Sequence, residues 1–162
     1  MCRAHVNHIT MLYRLIYTSH ASGQPCLQDI LTVSIDWNKA HELTGGLVCV
    51  GGTYLQYLEG EKGSIDEVFA MISGDPRHHG LKLLEYREVP RRMFGDWSMA
   101  VLNWNAETKA IFHSFSPGHE VDLYTTEPST AAPMFRAWAS TRHWDAGAIT
   151  PTTTCTASSG NS

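Results

Sequence analysis

The sequence has no run of basic residues, no apolar stretch approaching a membrane span and no Cys-x-x-Cys pair. Each absence closes a class. Twelve Lys and Arg stand against 16 Asp and Glu, for a net charge of −4. A cationic face that would neutralise phosphates is missing, which argues against nucleic acid or an anionic membrane as the main partner. A spanning helix needs about 20 consecutive apolar residues. The N-terminus, MCRAHVNHITMLYRLIYTSH, has one early arginine but no long apolar core before a small-residue cleavage site, so a bacterial-type cytoplasmic protein is expected. Cys2, Cys26, Cys49 and Cys155 are scattered through a chain too large to need staples, and read as thiols. Of nine histidines, only His5/His8 and His78/His79 lie close together. Neither pair has a Cys or carboxylate at a zinc spacing, and no metal is expected.

What is present is a regular alternation of elements. Residues 12–19, LYRLIYTS, alternate with period two, placing Tyr13, Leu15 and Tyr17 on one face of a strand. Residues 26–40 have the helical period. Leu27, Ile30, Leu31, Ser34, Ile35 and Asn38 share one stripe. Strands at 46–50 and 53–58 flank Gly51-Gly52, a hairpin signal. A helix is expected from Gly63-Ser64 to about 73, with Ser64 and Glu67 as a capping box and Ile65, Val68, Phe69 and Ile72 as its apolar stripe. Gly74 and Pro76 end it. Residues 81–89 and 97–103 complete five strands. The order βαββαββ predicts an α+β, ferredoxin-like fold: a mixed five-stranded sheet with two helices on one face. Two short helices, AETKAIFHSF and AAPMFRAWAS, are expected to cover the other face. Phe112, Phe115, Phe135 and Trp138 either pack them down, the favoured reading, or form a partner surface. The division is 1–10 as an extension, 11–104 as the main domain, 105–144 as a helical extension and a disordered Thr/Ser/Gly-rich tail over 145–162.

Three polar features sit where a core belongs. Ser34 and Asn38 interrupt the first helix's apolar stripe. Gln56 faces the same way as Tyr54 and Leu58. Tyr17 shares a face with Leu15. A buried amide is costly unless its hydrogen bonds are met. If Tyr17 and Gln56 lie on neighbouring strands below Ser34 and Asn38, a flat heteroaromatic ligand with amide-like edges would satisfy the cluster. No nucleophile–base pair or paired carboxylates accompany it, so the pattern points to cofactor binding and not to turnover.

These residues carry a resemblance. RLIYTS, S-x-x-x-N followed by LTGGL, YLQYLEG, DPRHHG and RMFGDWSM resemble, in order and spacing across residues 12–104, the motifs of the BLUF domain, a blue-light sensor that uses flavin. The resemblance implies that Tyr17 donates an electron and a proton, and that Gln56 bridges Tyr17 and the flavin and rearranges after light. It implies that Asn38 bonds the flavin's uracil-like edge with Ser34 close by. Arg77 and His78 would lie near the ring or its ribityl side, and Trp97 and Met99 on the last strand would report the switch. The family often has Asn-Asn where this chain has Trp37-Asn38. Trp37 then replaces a second amide contact and competes as an electron donor, or is simply a surface residue.

The chemistry suits the residue types. A phenol is oxidised readily when its proton leaves with its electron, and an amide offers both a donor and an acceptor to relay it. A rotated or tautomerised Gln56 would bond the flavin C4 carbonyl and shift the absorption to the red. Glutamate or leucine could not make that exchange. The implied cofactor is FAD, with FMN or riboflavin as alternatives. The expected output is a protein partner or the chain's own oligomer, reached through the C-terminal helices. A stand-alone, non-enzymatic photoreceptor is expected, since no effector domain fits in residues 105–162. The rival readings are a small ferredoxin-like enzyme using Arg77, His78 and Asn38, or a flavin-free ligand-binding regulatory domain.

Overall fold

A computed structural model describes residues 11–23, 27–95, 97–118 and 120–146, with the backbone alone for residues 27–31. The elements are β1 (Leu12–Ala21), α1 (Leu27–Ala40), β2 (Thr44–Val50), β3 (Thr53–Glu61), α2 (Lys62–Ser73), β4 (His78–Val89), β5 (Ala100–Leu102), α3 (Ala106–Phe115), a 3-10 turn (Leu123–Thr125), α4 (Pro128–Ala139) and β6 (Trp144–Ala146). The sheet order is β4-β1-β3-β2-β5-β6. β5 runs parallel to β2, and every other pairing is antiparallel. The first six elements make the ferredoxin-like arrangement. The β2–β3 hairpin turns on Gly51 and Gly52, both at positive φ (58° and 77°), as a two-residue connection between twisted strands requires.

Side-chain alternation sorts the core into two layers. Leu15, Tyr17, Leu47, Tyr54 and Leu58 face Ile65, Val68 and Ile72 of α2, with Ile35 and Trp37 of α1 packed against them. The alternate residues, Ile16, Val48, Leu55 and Tyr57, face Phe112, Phe135 and Trp138 of α3 and α4. The C-terminal helices therefore cover the face that α1 and α2 leave open. Phe112, Phe135 and Trp138 are buried there and Phe115 half-buried, so they hold the helices to the sheet. Trp138 also donates from its indole to the Thr108 carbonyl at 3.0 Å. Leu27, Ile30 and Leu31, expected on the α1 stripe, lie outside the described side chains. So do Cys2, Cys26, Cys155, the His5/His8 pair and the tail beyond Ala146. Cys49 is a half-buried thiol.

The structure corrects three expectations. The sheet has six strands and not five: β6 pairs antiparallel with β5, Leu102 opposite Trp144, and includes Asp145 and Ala146 from the expected tail. Three residues carry too little alternation to be read as a strand. The fifth strand is confined to 100–102, so Trp97 and Met99 precede it in irregular chain. The Ser64–Glu67 capping box does not form. β3 pairs as far as Glu61 opposite Leu12 and runs straight into α2, whose N-cap is Glu61 with no side-chain bond. Ser64 is already the third residue of the helix.

A capping box does form at α3. The Asn105 side chain accepts from the Glu107 and Thr108 N–H groups at 2.9 and 3.0 Å, and Thr108 Oγ1 accepts from the Asn105 N–H at 2.9 Å. Urea unfolding should therefore show Asn105→Ala losing about 1 kcal/mol. Ser64→Ala should stay within about 0.5 kcal/mol of the unmodified chain.

Candidate flavin site

Strand register sets the centre of the site. Tyr17 of β1 lies directly opposite Gln56 of β3, and Leu47 of β2 lies opposite Gln56 on its other side. Both polar side chains point toward α1 and α2, where Tyr17 is 4% and Gln56 2% exposed. The Tyr17 hydroxyl donates to Gln56 Oε1. Gln56 Nε2 donates to Met99 Sδ at 3.7 Å. The partners orient the amide: a thioether sulfur accepts weakly and cannot donate, so the nitrogen must face it.

A cavity of about 360 Å³, counting its open mouth, lies over this pair. Tyr17, Ser34, Gln56, Arg77 and His78, all expected at the site, line it. So does Trp37, which is half-buried rather than on the open surface. Sequence reading missed Tyr54, Asp75 and Leu47 as lining residues. The signal was present for two of them. Tyr54 shares the Gln56 face, and Asp75 opens the DPRHHG motif.

Asn38 sits one helical turn beyond Ser34 and is 1% exposed, but it is not among the residues lining the cavity. Its Nδ2 donates to the Ser98 carbonyl at 2.6 Å, and its Oδ1 is buried without a hydrogen-bond partner. Such an acceptor is costly unless a donor reaches it. An imide N–H, as on the uracil-like edge of a flavin, is a donor of the required kind, so the residues present fit that group.

His78 is more occupied than expected. Its Nε2 faces the Ile72 carbonyl at 2.6 Å and so carries the proton; Nδ1 lies 2.7 Å from the Ser19 hydroxyl. It ties the end of α2 to β1 and offers the cavity its ring. Arg77 stands at the mouth, 41% exposed, with its guanidinium 3.7 Å from Asp75. Met99 is buried against Gln56, whereas Trp97 lies on the opposite layer beside Phe94 and Trp144, at ring separations of 6.1 and 6.3 Å. Trp97 and Met99 are thus brought to opposite sides of the sheet.

A sequence model described as BLUF, sensors of blue-light using FAD, matches residues 12–100. The chain belongs to the BLUF family. Members of this family are flavin-binding blue-light sensors. The chain is 33% identical over 98 residues to the photoactivated adenylate cyclase subunit beta of Euglena gracilis, covering 57% of this chain and 11% of that protein. It thus spans about a tenth of that relative. In structure it is similar to the BlsA ground state, with a TM-score of 0.75 at 23% identity over 82% of this chain and 91% of that one. It is also similar to Klebsiella pneumoniae BlrP1 with FMN and cyclic diGMP, with a TM-score of 0.53 at 30% identity over 57% of this chain and 26% of that one. Among the described residues of this BLUF chain, no helix is long and apolar enough to cross a membrane.

Burial pushes the Tyr17 phenol well above the ordinary tyrosine range and Tyr57 up to about 12. Both keep their protons in the folded chain where unfolded tyrosines, with a pKa of about 10, lose them. The folded state then binds more protons, so stability is full below about pH 10 and falls as pH rises above it. Between about pH 10 and 11.5, the unfolding free energy of the unmodified chain should fall more steeply than that of Tyr17→Phe, by up to about 1.4 kcal/mol per pH unit. Urea titrations at stepped pH measure the difference.

Proposed function

We propose that this chain senses blue light through a flavin held in the cavity over Tyr17 and Gln56, and passes the signal through the segment ending at Met99 to the last strands. The single observation carrying this reading is the buried chain Tyr17 hydroxyl, Gln56 amide, Met99 thioether on the cavity side of the sheet. Tyr17 and Gln56 would meet the reactive edge of the ring, Asn38 Oδ1 its imide N–H, and Ser34, Trp37 and His78 its surroundings. When bound, the flavin supplies a blue-light-excited state that is a strong oxidant.

The protein's part follows from the contacts. The Tyr17 phenol stays protonated in the dark because burial disfavours its anion. It can give up an electron only if its proton moves too, and the acceptor in place is Gln56 Oε1. Once the electron and proton return to Tyr17, Gln56 would be left rotated or tautomerised. A rotated amide would turn Oε1 toward Met99 Sδ, two acceptors face to face, so the bond holding Met99 inward is lost. A side-chain change of this size becomes a signal by biasing an element with two arrangements.

FAD is the proposed flavin. FMN or riboflavin would use the same ring contacts, while Arg77 at the open mouth suits the phosphates of FAD or FMN. The chain itself acts as a sensor and not as an enzyme. Its output goes to a protein partner or to a second copy.

The purified chain loaded with FAD should be yellow and show a reversible red shift under blue light. Tyr17→Phe and Gln56→Leu should each keep the flavin and lose the shift, read by absorption difference spectra. A chain that rejects flavin would sink the reading. A shift that survives in Tyr17→Phe would remove Tyr17 from the mechanism.

A further inference from the structure

A carboxylate with no place in the flavin chemistry is buried in the same strand. Glu59 has no exposed surface and lies on the opposite face of β3 from Gln56, in line with Tyr57 and Leu55. A buried carboxylate is tolerated only where donors surround it. Oε1 accepts from the Met93 N–H at 2.6 Å, and Oε2 from the Phe94 N–H at 2.6 Å and the Thr44 hydroxyl at 2.8 Å. Arg92 closes the group, donating to Thr44 Oγ1 at 2.9 Å, to the Glu59 carbonyl at 3.3 Å and to the Glu42 carbonyl at 3.0 Å. Burial pushes the carboxyl above the ordinary glutamate range, and these donors offset only part of that push.

Two of these donors, the Met93 and Phe94 N–H groups, belong to the start of the run that leads to Met99. The far end of that run is held separately. The Trp97 carbonyl accepts from the Gly45 N–H at 3.3 Å, the Ser98 carbonyl from Asn38, and Met99 Sδ from Gln56. β3 therefore grips the run twice. Glu59 grips it on the face away from the cavity, and Gln56 grips it inside the cavity. At the first grip, Phe94 packs on Trp144 of β6 at a ring separation of 5.0 Å. The Trp144 ring lies so close to β2 that a Cβ at Gly46 would come within 2.8 Å of it. Its indole donates to the Trp138 carbonyl at 2.8 Å.

We propose that Glu59 is a positioning residue for the light output: it fixes Met93 and Phe94 to β3, so that a change at Gln56 displaces Trp97–Met99 and, with them, β5 and Trp144 of β6. This rests on the flavin-sensing reading. Without a fixed upstream end, the run would slide as a whole and absorb the change. With one, a small displacement at Met99 becomes a rotation about Phe94, which bears directly on β6.

The test is hydrogen exchange of the full FAD-loaded chain, light minus dark, on the unmodified protein and on Glu59→Gln. The variant keeps the side chain's shape but loses one of the two carboxylate acceptors. It should keep the red shift, since Gln56 and Tyr17 lie on the other face. Its light-induced exchange change over 97–102 and 144–146 should fall roughly threefold or more. A merely structural role would lower stability and leave that difference map unchanged. An unchanged map, or a lost red shift in Glu59→Gln, overturns the proposal. If Glu59→Gln does not fold, Thr44→Val, which removes one donor and keeps the carboxylate, should still diminish the map; an unaltered map there overturns the proposal equally. An unmodified chain with a red shift but no exchange change in these segments also overturns it. An unmodified chain with no red shift strikes the flavin reading itself and not Glu59.

Discussion

The pairing of β1 with β3 is the constraint on which the site depends. Its register runs from Leu12 opposite Glu61 to His20 opposite Thr53, and it puts Tyr17 across from Gln56. A one-residue slip would send Gln56 to the other layer, among Phe112 and Phe135, with its amide unmet. The same slip would carry Glu59 out of reach of the Met93 and Phe94 N–H groups. Hydrophobic alternation and the two buried polar groups therefore specify one register together. The bond between Tyr17 and Gln56 is held by the pleat of the sheet and not by loops.

The two layers explain how a small polar device survives in a core. On the α1/α2 side, the residues around Gln56 are Leu15, Leu47 and Leu58, with Ile72 at the cavity wall. Polar atoms there have few partners to choose from, so those they find are well defined. On the α3/α4 side, aromatic rings close the space: Tyr57, Phe94, Phe135 and Trp138 meet edge to face or tilted.

Much of this was legible from residue order. Period-two and period-3.6 patterns are strong where elements are long, and β1, α1, β3 and β4 were placed within a few residues. The Tyr17, Gln56, Ser34 set was legible because polar residues on apolar faces are conspicuous. What escaped was short or non-periodic. β6 has three residues, and its pairing depends on Trp144 finding a place over Gly46 (a distant contact no local pattern records). The capping signal at Ser64 was locally sound, but β3 extends to Glu61 and leaves no turn in which the cap could form. The occupation of both His78 nitrogens, by Ser19 and Ile72, required three elements to be folded first. Glu59 reads in sequence as the charge that closes a strand, and only the arrival of Met93 and Phe94 makes it a buried acceptor.

The parallel join between β2 and β5 has a further consequence. It consists of two register positions, Gly46 with Ala100 and Leu47 with Val101, whereas the joins among β4, β1, β3 and β2 run the length of their strands. The sheet is thus a continuous four-stranded slab with a narrow two-stranded flap attached by its thinnest seam. Local opening free energies follow how many bonds must break together. Detaching the flap breaks fewer register positions than parting any two strands of the slab, and would bare the unpaired backbone of β2. The molecule then carries a latent sheet edge, the kind of surface that a second polypeptide strand can complete.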